Sequence, residues 1–233
     1  MMLRFFCFFV FNIFGLIKEE SILFLTLAAA GFLLCRIPYA GRFLRVFNTL
    51  FHEGGHALAA WITSGEVLKI ELFYDTSGTT ITKSNSRGEQ IIISLAGYIF
   101  ASVVPWVFIL LLSQGYEIAL HITITALSGI LLLLAVRNTY GIIWILVMLA
   151  AYFLVIFKAP QYSWMMVYLY TGIMLLEGVF SAAVVCWLSF AAPDNAGDAT
   201  NLKKYTGLPV WLWGLFFLAQ ALFFCWLALG LLF

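Results

Sequence analysis

The sequence predicts an all-α polytopic membrane protein with about six to eight transmembrane or membrane-embedded helices and one small β-hairpin. Composition is the first reason. Apolar residues make up 64% of the 233 and charged residues only 10%, with mean hydropathy +1.04, whereas a soluble domain carries roughly 25% charged residues. The second reason is the recurrence of apolar runs near the roughly 20 residues that cross a bilayer as a helix. Twelve basic against eleven acidic residues leave a net charge of +1. No basic stripe for nucleic acid is visible, and no strongly charged partner is implied.

The chain opens with MMLRFFCFFVFNIFGLI. Arg4 before a short apolar core resembles a signal peptide, but no small-residue cleavage site follows directly, so the segment is expected to be retained. The apolar region 5–35 is interrupted by Lys18, Glu19 and Glu20 and reads as one broken helix or two short segments. Spans are expected at 46–62, 91–113, 118–136, 139–157, 163–187 and 208–231. Asn48 is expected to cap the first of these and Gly65 to end it.

Two polar stretches interrupt the pattern, at 63–90 and 192–207. In the first, Val67, Lys69, Glu71 and Phe73 alternate with Leu68, Ile70, Leu72 and Tyr74, the period of a strand with one apolar face. Asp75-Thr76-Ser77-Gly78 reads as a turn and Thr79 to Thr82 as a return strand. The four cysteines, Cys7, Cys35, Cys186 and Cys225, lie in apolar runs without CxxC spacing and read as buried small hydrophobes. With no repeat and no linker, residues 1–233 form one membrane-embedded domain. Its parts are N-terminal apolar segments (1–45), the motif helix (46–62), the hairpin loop (63–90), membrane helices (91–191), an acidic loop (192–207) and a final helix (208–233).

FHEGGHALAA at 51–60 breaks the avoidance of charge. His, Glu and His inside an apolar helix are costly to bury and mark a functional hypothesis. His52 and His56 are four apart and share a helix face, so both imidazoles can reach one zinc at about 2.0–2.1 Å. Glu53 projects beside the metal, where it can serve as base toward water and then acid toward a leaving amine. Random placement of these residue types gives HExxH on the order of once in a thousand such sequences. Gly54 and Gly55 inside the motif allow close approach of a neighbouring helix or of a substrate.

A hydrolytic zinc usually takes a third protein ligand. Glu177, a lone carboxylate in a membrane run, is one candidate, as ligand, supporting acid or pore residue. Asp194 and Asp198 in PDNAGDATNL are others, as ligands or as turn and cap residues. His121 reads as an interfacial histidine.

HEGGHALAAWITSG followed by the strand-like VLKIELFYDTSGTT, SLAGY at 94–98 and GDATNLKKYTGLP at 197–209 together resemble the site-2 protease family of membrane zinc metallopeptidases (metallopeptidase family 50), specifically its compact bacterial branch. The likeness covers most of 46–215. It implies a protease with one Zn2+ per chain, metal ligands His52, His56 and Asp198, and Glu53 as catalytic acid/base. It also implies a membrane-protein or membrane-anchored peptide as substrate, and the bacterial inner (cytoplasmic) membrane as location. The chain departs from the wider family in lacking NxxPxxxLDG and in having Tyr98 after Gly97 where many relatives have proline.

The function expected is therefore intramembrane zinc endopeptidase. The alternative is a non-catalytic membrane scaffold or transporter whose HExxH is vestigial or stores metal. Intact Glu53 favours hydrolysis, because holding a metal needs only ligands. A substrate helix must unwind to be cut, and its freed backbone groups need partners, so residues 67–74 or their return strand are expected to bind it as an added strand. Arg36, Arg42 and Arg45 on one side and Arg137, Lys203 and Lys204 on the other leave the membrane orientation open.

Overall fold

A computed structural model of the chain describes residues 19–232. The signal-peptide-like start, the first part of the 5–35 region and Cys7 lie outside the described residues. Eight α-helices and one hairpin follow in order: α1 Glu19–Leu34, α2 Ala40–Ile62, β1 Glu66–Leu72, β2 Gly78–Lys83, α3 Arg87–Ser113, α4 Glu117–Leu134, α5 Thr139–Lys158, α6 Ser163–Ala191, α7 Asp198–Thr206 and α8 Val210–Gly230. Among the described residues, five helices are long and apolar enough to cross a membrane, namely α3, α4, α5, the unit ending in α6, and α8. The chain is an integral, multi-pass membrane protein. Glu19 and Glu20, which interrupt the apolar region in sequence, occupy the first turn of α1, where negative charge suits the helix dipole.

Helix α2 runs through the middle of the molecule. Val46, Phe47, Leu50, Phe51, Ala57 and Ala60 are all buried, and the helix packs on α3, α6 and both strands. It begins at Ala40 rather than near 46, so Asn48 lies two turns inside it and caps nothing. Its apolar face continues back to Gly41, which sits against the Cys35 carbonyl, and nothing between breaks the helix. The C-terminus closes as a Schellman turn, with Ser64 at φ 63 and the Gly65 N–H donating to Ala60 O at 2.8 Å.

In α3 the start is set by Ser86, whose hydroxyl accepts from the Glu89 N–H at 3.2 Å, while Glu89 Oε2 accepts from the Asn85 N–H at 2.6 Å. That is a near relative of the capping box, legible in SRGE, and it begins the helix four residues before the apolar run. Between α2 and α3 the backbones come close: a Cβ on Gly55 would lie 2.8 Å from Ala96 O. One on Gly54 would meet Leu131 at 2.9 Å. Close helix packing accounts for both glycines, as expected where lipid gives no hydrophobic drive and small residues bring helices together.

The hairpin is antiparallel, pairing Ile70 with Thr80 and Leu72 with Gly78, with a bulge between Val67 and Lys69. The bulge inserts Leu68 as an extra residue and inverts the facing on its N-terminal side. Ile70 and Leu72 are therefore buried while Leu68 stays 49% exposed, and the apolar face is not the unbroken alternation the sequence suggests. A second neighbour closes the outer edge of β1. Ile70 N–H donates to Ala135 O at 2.8 Å and Ile70 O accepts from the Arg137 N–H at 3.0 Å. Leu72 N–H donates to Asn138 Oδ1 at 3.1 Å, and Leu72 O accepts from Asn138 Nδ2. The outer edge of β2 has no such neighbour among the described residues.

Candidate metal centre

His52, Glu53 and His56 project from the buried middle of α2. Asp198 reaches them from far along the chain, as the first residue of α7. Gly197 precedes it at φ 55, a left-handed conformation that side chains rarely adopt, and this turns the chain into α7. The carboxylate Oδ2 of Asp198 lies 3.2 Å from His52 Nε2 and 3.2 Å from His56 Nε2, and the two Nε2 atoms are 3.1 Å apart.

The protons decide what this triangle can hold. His56 Nδ1 is 2.6 Å from Ile93 O, and a carbonyl only accepts, so Nδ1 carries the proton and neutral His56 presents a lone pair at Nε2. This is the support that usually fixes a metal-ligating histidine. With both imidazoles neutral, as metal ligation requires, the two Nε2 atoms and Asp198 Oδ2 form a set of three donor atoms within 3.2 Å of one another. A tetrahedral zinc with bonds of about 2.0–2.1 Å needs donors roughly 3.3 Å apart, so the donor set fits that ion in type and spacing.

Glu53, 5% exposed, is held beside the triangle by β2. Thr80 Oγ1 lies 2.6 Å from Glu53 Oε2 and 3.1 Å from Glu53 O. Gly78 permits this contact, because a Cβ there would lie 2.6 Å from Glu53 Oε1. On the other side, Gly97 of α3 lies flat against both imidazoles, and a Cβ would sit 2.6 Å from His56 Cε1 and 2.7 Å from His52 Cε1. A cavity of about 660 Å³ opens over the group, lined by His52, Glu53, Asp198, Thr80 and Tyr98 among others. It is large enough for several residues of extended peptide and admits water.

A family model described as Peptidase M50B-like matches residues 24–228. The chain belongs to the M50B-like peptidase family. No curated protein and no solved structure matches it. Family membership points to a metallopeptidase embedded in the membrane, which accords with the five spanning helices.

The other candidates stand apart from the triangle. Glu177 is 3% exposed and both its oxygens face arginines, Arg36 Nη2 at 2.7 Å and Arg45 Nε at 3.1 Å. It ties α6 to α2 and to the end of α1. Asp194 is exposed in the short turn Pro193–Asn195, and His121 Nδ1 meets Tyr152 Oη at 2.5 Å. Cys35 and Cys186 are buried free thiols and Cys225 a half-buried one. The contacts of Thr80 and Gly78 with Glu53 depend on how the hairpin folds back on α2, so the local sequence carries no sign of them.

Proposed function

We propose that this M50B-like chain is an intramembrane zinc endopeptidase, hydrolysing a peptide bond of a membrane-protein or membrane-anchored substrate in the inner membrane of a bacterium. Residues 1–233 would act as one metalloprotease domain. The observation that carries the reading is the convergence of three potential ligand atoms, from His52, His56 and Asp198, with Glu53 beside them at an open cavity. His52, His56 and Asp198 would hold the metal. When bound, zinc supplies a Lewis acid that makes water a nucleophile at neutral pH and polarises a peptide carbonyl. Glu53 takes the water proton as the C–O bond forms and returns it to the amine nitrogen as the C–N bond breaks. Thr80 holds the Glu53 carboxylate so that one oxygen faces the cavity.

The hairpin supplies a place for the unwound substrate. Since Ile70 and Leu72 turn their backbone groups away from β2, their cross-strand partners Thr80 and Gly78 turn theirs outward on the far edge. An extended segment added there would run past Glu53, its N–H and C=O groups paired. The edge of β1 is taken, so β2 is the strand for this role. The scaffold or transporter reading gains no support from Glu177, whose arginine pairs make it a structural tie.

Purified protein in lipid vesicles, challenged with a panel of single-span reporter peptides, tests the proposal. Wild type should cleave at least one reporter, and a zinc chelator and Glu53→Gln should each stop it. A panel left intact by zinc-loaded wild type would remove the enzymatic reading.

A further inference from the structure

Tyr98 stands in the cavity with its hydrogen-bonding capacity unused. Its ring meets the edge of the His52 imidazole, centroids 4.6 Å apart at 76°. The ring also packs on Phe217 of α8, centroids 4.5 Å apart, and Phe217 is fully buried. Among the described residues, the side chains that bond to Tyr98, Ser102 Oγ at 2.9 Å and Gln220 Nε2 at 3.2 Å, both reach its backbone carbonyl, and its hydroxyl has no protein partner. The hydroxyl is not sealed in the interior, and the cavity that Tyr98 lines gives it access to a bound substrate. Phenylalanine would fill the same space between His52 and Phe217 with no polar group to satisfy.

The surroundings say what the partner is. Tyr98 lines the same cavity as Glu53, His52 and Asp198. A phenol carries its proton at neutral pH and can donate it in a hydrogen bond. Glu53 is anchored by the hairpin and Tyr98 by α8, so the two reach the cavity from different elements. A rigid neutral donor beside a peptide-cleaving centre is placed for the atom that gains negative charge during attack, the carbonyl oxygen.

Resting on the proposed protease reading, we infer that Tyr98 is a catalytic residue whose hydroxyl donates a hydrogen bond to the scissile carbonyl oxygen as water adds to the carbonyl carbon. The phenol keeps its proton throughout. The water proton goes to Glu53 and on to the leaving amine, and the carbonyl reforms as the C–N bond breaks, so Tyr98 balances charge without exchanging atoms. The donor matters only once charge has developed, so it acts on kcat and not on substrate affinity.

Tyr98→Phe tests this on the full-length protein in vesicles, with the reporter that wild type cleaves fastest and with a phosphinic peptide of the same sequence, whose tetrahedral phosphorus carries the corresponding anionic oxygen. The expected result is wild-type zinc content, unchanged KM, kcat lowered roughly a hundredfold, and phosphinic-peptide affinity lowered by a similar factor. Gln220→Met, which loosens the Tyr98 backbone but keeps the phenol, should lower both quantities less. A Tyr98→Phe protein with wild-type kcat and phosphinic-peptide affinity overturns the inference while leaving the protease reading intact. Loss of zinc or of the fold in Tyr98→Phe overturns it too, by making the hydroxyl structural. Wild type that cleaves no reporter removes the protease reading, and the role of Tyr98 with it.

Discussion

Gly97→Ala adds one methyl group where α3 lies on the two histidines. That carbon would stand 2.6 Å from His56 Cε1 and 2.7 Å from His52 Cε1, against about 3.5–4.0 Å for comfortable carbon contact. Something must move by roughly 1 Å. The helix is the harder part to shift, since Ala96 O already touches the Gly55 position and Gln220 ties Tyr98 O and Ser102 to α8. The rings therefore give way. Zinc sites tolerate deviations of about 0.2 Å in ligand distance, so a displacement several times larger in two ligands should lower zinc affinity by at least about a hundredfold, the upper range of supporting-contact effects. The overpacking itself should cost about 1–3 kcal/mol of stability. Competition against a chromophoric chelator gives the affinity, and thermal unfolding of the metal-free protein gives the stability. A folded Gly97→Ala protein with wild-type zinc affinity would refute the claim that this glycine shapes the metal centre.

The hairpin side of the site should respond differently. Gly78→Ala brings a methyl within 2.6 Å of Glu53 Oε1, so zinc should stay bound while cleavage falls, as it should in Glu53→Gln by at least roughly a hundredfold. Metal analysis beside a cleavage assay separates these from Gly97→Ala. Among the acids, Asp198→Asn should weaken zinc binding strongly and Asp194→Asn hardly at all. Glu177→Gln should keep zinc but lower stability by up to about 3 kcal/mol, because Arg36 and Arg45 lose a buried partner. Zinc loss confined to Glu177→Gln would move the third ligand. Substrates N-methylated at alternate positions near the scissile bond should lose cleavage in one alternating set, since only those N–H groups face the β2 edge. Equal cleavage of both sets would remove strand addition from the mechanism.

The spans were legible because hydropathy over twenty residues is a sum and tolerates local error. Five of the six expected runs lie within a few residues of the spanning helices; the sixth, 46–62, falls in α2, whose arginines and HExxH groups leave it outside the helices apolar enough to cross a membrane. Their polar ends were harder. Residues 40–45 of α2 contain Arg42 and Arg45, which suppress an apolar run yet continue the helix, one guanidinium over the Tyr74 ring and the other on Glu177. His52, Glu53 and His56 are local in sequence and announce their shared face. Asp198 is not local: the residues alone left it level with Asp194 and Glu177, and the family likeness singled it out. Packing puts it at the histidines while arginines occupy Glu177. The bulge at Leu68 and the pairing of Ile70 with residues 135–137 depend on α4 and α5, so no reading of 63–90 alone could reveal which strand edge stays open.

X-ray absorption at the zinc edge on the purified protein tests the central claim most directly. The account predicts about one zinc per chain with two imidazole nitrogens and carboxylate or water oxygens at roughly 2.0–2.2 Å. It further predicts that both imidazole contributions vanish with the metal in a His52→Ala/His56→Ala double variant. Sulfur scatterers, or a zinc signal unchanged in that double variant, would place the metal elsewhere and contradict the account.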